Sequence, residues 1–306
     1  MNAYFNSTES AVSYTAKVEI CCIDSVGHSS KAEITPVHII ALTAVNGIFI
    51  LVGSLGNLLV CMTIIKNPRL HIGTNFLILN LSIGDILVCL LVQPMYICAI
   101  NLNQVPLYFP CIYRIMAEIS TYMSFHTLFC IAAKRLLYLS RPFDSPLILT
   151  KKQLLVIFFT IWTVSFLMGT LSPTISFANE ILRYYKYIFN FVFIAIYVRI
   201  FTIANQHFKK LSKLRKSVMF NHTIAKLKRE NVSIRTTALI VGAFIASFFP
   251  FTVLKLAGIH PSTSETRAAY KWAVTLIYCS SSYNPFIYFI RSDSFRNGLK
   301  RTLSSH

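Results

Sequence analysis

Acidic side chains are scarce, with 11 Asp and Glu against 29 Lys and Arg in 306 residues. The 10 glycines never gather into a phosphate-cradling loop, and "GSLGN" at 53–57 has no strand before it. No nucleophile stands with a base and no residues show metal-ligand spacing, so nothing in the chain indicates an enzyme. Basic residues are not interleaved with aromatics, which argues against a nucleic-acid surface despite the formal charge of +18. The two halves show no repeat, and no second intramembrane acid could relay with Asp85, features that a secondary transporter or channel would need. The first 35 residues lack the basic-then-apolar pattern of a cleaved leader, so the first apolar run is expected to act as the insertion signal.

What is abundant is apolar length. Hydrophobic residues make up 55% of the chain and cluster into runs at about 37–65, 74–100, 112–139, 153–173, 187–206, 236–257 and 271–290. A helix crossing the hydrocarbon core needs roughly 20 mostly apolar residues, and these runs are too continuous for alternating barrel strands. The pattern predicts an all-α membrane protein with seven spanning helices. The chain divides into a tail over 1–36, a helical bundle over 37–290 and an end segment over 291–306. In the last, "SDSFRNGLKRTL" sets Phe295 and Leu299 four apart among Arg296, Lys300 and Arg301, as in an amphipathic helix on the inner leaflet. Most of the Lys and Arg fall in the segments that an outside N-terminus would place in the cytosol, which sets the orientation. "NST" at Asn6 is then an outward glycosylation acceptor, whereas "NHT" at Asn221 and "NVS" at Asn231 face inward.

Ordered landmarks fall one to a span: Asn57 in "GSLGNLLV", Asp85 in "LNLSIGDIL", Arg135 in "AAKRLLYLSRPF", Trp162, Tyr197 in "YVRIF", Phe244 and Pro250 in "FIASFFPF", and Asn284, Pro285 and Tyr288 in "NPFIY". In this ordered set, over about residues 37 to 302, the chain resembles a rhodopsin-like (class A) G-protein-coupled receptor. The resemblance implies a plasma-membrane receptor that senses an extracellular ligand and activates a heterotrimeric G protein. It implies a polar cluster of Asn57, Asp85, Ser124, Ser281 and Asn284 that can hold a sodium ion. Arg135, Tyr197, Asn284, Pro285 and Tyr288 become the coupling and switch residues. Phe244, Phe248 and Pro250 become the bend and aromatic switch, with Phe248 where the family usually has Trp.

Several positions depart from the family pattern. Lys134 replaces the acid before Arg135, while Glu230 in "KLKREN" keeps the sixth-span acid that would clamp Arg135 at rest. This combination leads to the expectation of raised basal activity; a receptor that no longer couples is the alternative within the class. Cys111 stands near the usual third-span position, but the segment from Pro173 to Tyr187, expected to be a short outer loop, has no cysteine. A bond from Cys111 to Cys21 or Cys22 is the remaining expectation. The missing fifth-span proline, with Phe189 in its place, resembles the melanocortin and cannabinoid branch.

The resemblance also bears on the ligand side. Ala117 stands where amine receptors carry an aspartate, with Glu118 beside it, and Tyr278 stands where opsins carry the retinal lysine. Arg114, Lys255 and Lys271 crown an apolar floor of Phe248, Phe251 and Tyr278, a combination that suits an amphipathic anion or lipid acid. The predicted topology is checked at the glycosylation sites. Asn6→Gln is expected to abolish the endoglycosidase-sensitive gel shift of the expressed chain, and Asn221→Gln and Asn231→Gln to leave it intact.

Overall fold

The structure, a computed structural model, describes residues 34–71, 73–102, 105–106, 108–140, 150–214 and 221–304. Seven long helices appear among them: α1 Pro36–Lys66, α2 Gly73–Asn101, α3 Phe109–Ser140, α4 Lys151–Thr174, α5 Ser176–Leu214, α6 Asn221–Leu256 and α7 Ser264–Arg291. The short helix α8, Asp293–Ser304, follows after Ser292. Asn6, Cys21, Cys22 and the side chain of Glu230 lie outside the described residues.

Local chemistry explains the element ends. Proline opens α1, where its missing N–H costs nothing, and Lys66 sits in the last turn facing the partial negative charge of the helix end. Thr150 with Gln153 and Thr263 with Thr266 form capping boxes at the starts of α4 and α7. A π turn at Val88–Val92 runs straight into Gln93-Pro94. Proline has no N–H to give and its ring crowds the preceding turn, so the helix widens there instead of breaking.

Two elements differ from the sequence expectation, both for reasons of polarity. α5 begins at Ser176, not near 187, and a single extended residue, Ile175, joins it to α4. The expected Pro173–Tyr187 loop is therefore helix. Its first turns carry Asn179, Glu180, Arg183 and Lys186, which make that stretch read as a loop, yet Asn179 and Lys186 bond inward to α3 and Glu180 pairs with Arg183 one turn on. In the other case, six of the helices are long and apolar enough to cross a membrane by length and composition, and α7 is not among them. Its deficit comes from Thr275, Ser280, Ser281, Ser282 and Asn284, all buried against the bundle. A helix that puts its polar side inward needs only the rest of its circumference to be apolar.

Hydrogen bonds from asparagine tie the helices together. Asn46 Nδ2 donates to Thr275 Oγ1 at 3.1 Å, joining α1 to α7. Asn80 Nδ2 donates to Thr127 Oγ1 at 2.8 Å while Trp162 Nε1 donates to Asn80 Oδ1 at 2.9 Å, so one side chain links α2, α3 and α4. Asn67 Nδ2 reaches Thr302 Oγ1 at 2.9 Å and the Gly298 carbonyl at 3.2 Å, fastening α8 to the end of α1. Between these levels lies an aromatic core centred on Phe125, fully buried, with ring centroids of Phe244, Phe248 and Phe189 at 5.1, 5.2 and 5.5 Å.

Helices α3 and α4 pack closely because Gly169 has no side chain. A Cβ there would lie 2.5 Å from the Ile119 backbone nitrogen and 2.6 Å from its Cα, and backbone cannot move aside. Gly242 has nothing within 4 Å of the same construction. Gly169→Ala is expected to destabilise the bundle by about 1–3 kcal/mol, read as a lower melting midpoint in detergent, while Gly242→Ala changes it little.

Candidate functional site

Along the bundle axis the functional side chains form three levels. At the outer level, tyrosines from three helices meet. Tyr113 and Tyr278 share a hydrogen bond between hydroxyls at 2.6 Å, and the Tyr96 hydroxyl donates to the Lys271 carbonyl at 2.6 Å. The Tyr96 ring stands edge-on to Tyr278 at 5.3 Å and stacks with Tyr113 at 6.2 Å. Tyrosine suits this place because its ring is apolar and its hydroxyl finds a partner. Tyr278 thus falls where the sequence reading put it; Tyr96 and Tyr113 were missed, since a tyrosine in an apolar run gives no signal of its own.

The expected cationic crown is divided. Arg114 Nη2 donates to Asn179 Oδ1 at 3.1 Å on the α3–α5 side. Lys255 lies over the rings of Phe251 and Tyr270 at 5.9 and 5.3 Å on the α6–α7 side, with Lys271 on the next helix turn after Arg267. Glu118 meets Lys186, whose Nζ lies 2.9 and 3.0 Å from the two carboxylate oxygens. The pair is mostly buried and Lys186 also lies 5.5 Å from the centre of the Tyr122 ring. Glu118 therefore carries its own counter-ion and is not a bare acid beside Ala117. Lys186 escaped sequence reading because it sat in a stretch taken for a loop. Next to the pair, His126 bridges the Ser165 and Tyr185 hydroxyls at 2.9 and 3.0 Å.

The middle level holds the polar cluster. Asp85, 1% exposed, accepts from Asn284 Nδ2 at 2.8 Å, while Asn57 Nδ2 donates to the Ser281 and Gly53 carbonyls, each at 2.9 Å. A cavity of about 20 Å³ just above is lined by Ser120, Ser124, Ser281, Phe244, Phe248 and Tyr278 among others. That volume admits a water-sized sphere. Asn284 thus bonds Asp85 and Asn57 bonds Ser281, while Ser124 lines the cavity with Ser281. Asn57 Oδ1 and the Tyr288 hydroxyl, both buried, find no partner among the described residues. Phe248 packs on Phe244 with centroids 4.6 Å apart, so the position usually held by Trp is filled by a stacked phenylalanine pair.

The inner level is the foot of α3. Lys134 and Arg135 are half-buried, and the Tyr197 hydroxyl from α5 is buried beside Arg135. Tyr288 of α7 is 1% exposed and stacks on Phe295 of α8 at 5.5 Å. Glu230 is on the inner part of α6 by sequence, its side chain outside the described residues. Cys111 is half-buried and makes no disulfide with a described residue. Among the described residues no cluster of His, Cys, Asp and Glu could hold a transition metal.

Comparison with known proteins agrees with this arrangement. Residues 56–288 match the family model of the 7 transmembrane receptor (rhodopsin family). The human histamine H2 receptor is 25% identical, the match covering 86% of this chain and 79% of that receptor. The octopamine receptor beta-2R of Chilo suppressalis is 26% identical over the same shares, 86% and 79%. The adenosine receptor A2b of Gallus gallus is 23% identical, covering 81% of this chain and 84% of that one. These receptors are named for amines and adenosine. In fold the chain is similar to squid rhodopsin, with a TM-score of 0.75 at 20% identity, covering 89% of this chain and 82% of that one. With the family model matching most of its length and the polar cluster, aromatic core and α3 foot assembled on a seven-helix frame, the chain belongs to the rhodopsin family of G-protein-coupled receptors.

Proposed function

We propose that this receptor signals with raised basal activity, that its resting state depends mainly on the pairing of Arg135 with Glu230, and that its outer cavity takes an amphipathic anion. The observation that carries the first part is Lys134, a cation standing half-buried beside Arg135. Two adjacent cations repel, and water at a helix end screens that only partly. Arg135 therefore has no acid next to it in the chain, and Glu230 falls on α6 at the spacing an interhelical clamp requires. A partly exposed ion pair contributes about 0–1 kcal/mol. Against a gap of a few kcal/mol between resting and active states, that shifts populations several-fold.

The anion reading is supported by the Glu118–Lys186 pair, which cancels the one acid near the place where an amine would need a counter-ion. Lys255 and Lys271 give the α6–α7 side of the mouth a positive character above Phe251 and Tyr278. Charge bias across the helix ends supports an outward N-terminus in the plasma membrane. Asp85, Ser124 and Ser281 offer the hard oxygen atoms that a sodium ion prefers, and the unpartnered Asn57 Oδ1 nearby supports an ion or water in the cluster. Bound there, sodium would neutralise Asp85 and favour the packing of the resting bundle.

Basal second-messenger output at matched surface expression tests the clamp. Lys134→Asp should lower it, Glu230→Ala should raise it several-fold, and Arg135→Ala should abolish coupling. If the first two leave it unchanged while an agonist still works, Lys134 and Arg135 serve as a membrane anchor. For the ligand, a panel of long-chain acids and of amines is applied to the wild type and to Lys255→Gln/Lys271→Gln. Acid agonism reduced about tenfold or more in the double variant supports the anion reading, and an amine agonist equally potent on both overturns it. Sodium should weaken agonist affinity relative to an equal concentration of a large organic cation, and Asp85→Asn should remove that difference.

A further inference from the structure

One cavity of the described structure lies outside the spanning helices. It lies at the basic end of the bundle, between the short turn Pro68–Leu70 that follows α1 and the face of α8. Its volume is about 200 Å³, several water molecules' worth at about 30 Å³ each. Arg69 and Arg301 enter from opposite walls, Ser294 and Asn297 line the α8 side, and Asn67 with Gly298 forms the floor. No carboxylate lines the cavity, and among the described residues no ion pair involves Arg69 or Arg301. The neighbouring acid, Asp293, is paired with Arg296.

The walls are held at a defined separation. Asn67 is 6% exposed, and its amide donates to the Thr63 carbonyl at 2.7 Å, the Gly298 carbonyl at 3.2 Å and Thr302 Oγ1 at 2.9 Å. Gly298 allows this approach, because a Cβ there would lie 2.9 Å from Thr63 Cγ2 and 3.0 Å from Leu70 Cδ1. Two guanidiniums facing one rigid polar hollow repel each other unless an anion lies between them. Guanidinium matches phosphate oxygens in a bidentate manner, and Ser294 and Asn297 can add neutral hydrogen bonds.

We infer that the hollow between the Pro68–Leu70 turn and α8 is a binding site for a phosphate-monoester headgroup, Arg69 and Arg301 clasping the phosphate. Phe295 of α8 is buried against Tyr288 of α7 while Leu303 is exposed, and the charge bias of the helix ends puts this end of the bundle at the inner leaflet, at the level of lipid headgroups. An inner-leaflet lipid bearing a phosphorylated inositol ring is the natural source. A soluble inositol phosphate has the same chemistry and is separated from it by experiment. The inference is independent of the extracellular ligand and of the Arg135 clamp.

The test uses the full receptor in nanodiscs of phosphatidylcholine. One set contains about 5% of a phosphatidylinositol bisphosphate, a second contains phosphatidylserine at matched total charge, and a third contains no anionic lipid. Binding is read by native mass spectrometry and by competition with a fluorescent phosphoinositide, for wild type, Arg69→Gln, Arg301→Gln and Arg296→Gln. Each pocket substitution should weaken phosphoinositide binding about fivefold, roughly the effect of one basic residue at an anionic surface. Arg296→Gln, which removes the same charge from the same helix outside the hollow, should weaken it less than twofold. All these side chains are exposed, and equal melting midpoints confirm folding. Retention of phosphoinositide over phosphatidylserine that is lost only with the pocket variants supports a lipid headgroup. Displacement by soluble inositol trisphosphate at similar concentration supports the same site with a soluble source. Equal retention of both lipids, or equal loss with Arg296→Gln, overturns the site and leaves only surface charge.

Discussion

A polar side chain inside a bundle wrapped in hydrocarbon has no water to fall back on, so a partner on another helix counts for much. That constraint organises this receptor. Asn46, Asn57, Asn67, Asn80 and Asn284 each bond to a side chain or carbonyl of another helix, and together they span the depth of the bundle. Apolar packing alone would let helices rotate or slide, since lipid tails solvate leucine as well as a neighbouring helix does. An asparagine bonded across an interface permits one rotation only. The aromatic core around Phe125 then fills a space whose walls are already positioned.

The same constraint connects stability with switching. Asp85 and Asn284 satisfy each other at the depth where α7 carries its internal Pro285, and the orphaned Asn57 Oδ1 and Tyr288 hydroxyl adjoin the same region. A cluster with unmet hydrogen-bonding capacity is a place where a rearranged partner set costs little. The cavity next to it is bounded by Phe244 and Phe248 on α6, just before the bend at Pro250. That phenylalanine pair and Phe125 thus lie between the tyrosine level and the polar cluster.

Charge is handled differently at the two ends. At one end, opposite charges meet: Glu118 with Lys186, mostly buried between α3 and α5, and Glu180 with Arg183 on the exposed face of α5. At the other end, cations stand side by side, as at Lys134 and Arg135, or line one hollow, as at Arg69 and Arg301. Excess cation there suits an anionic leaflet and an acidic signalling surface, and it makes that end responsive to whatever anion is present.

The seven helices and their order were legible in the sequence because apolar run length is a one-dimensional property. Asp85, Arg135, Pro250 and the Asn284–Tyr288 stretch were legible for a related reason: each is chemically out of place in its surroundings and sits at a fixed distance from other such residues. Tertiary structure alone decided the rest. The start of α5 at Ser176 was hidden because Asn179 and Lys186 look like loop residues until Arg114 and Glu118 are seen facing them. α7 was similarly weak in hydropathy because its serines and Thr275 point inward. The tyrosine triad of Tyr96, Tyr113 and Tyr278 and the hollow beneath α8 bring together residues from distant parts of the chain. Local sequence sets which segments are helices, but a meeting point between three helices depends on their rotation, and rotation is settled by which buried polar groups meet across the helices.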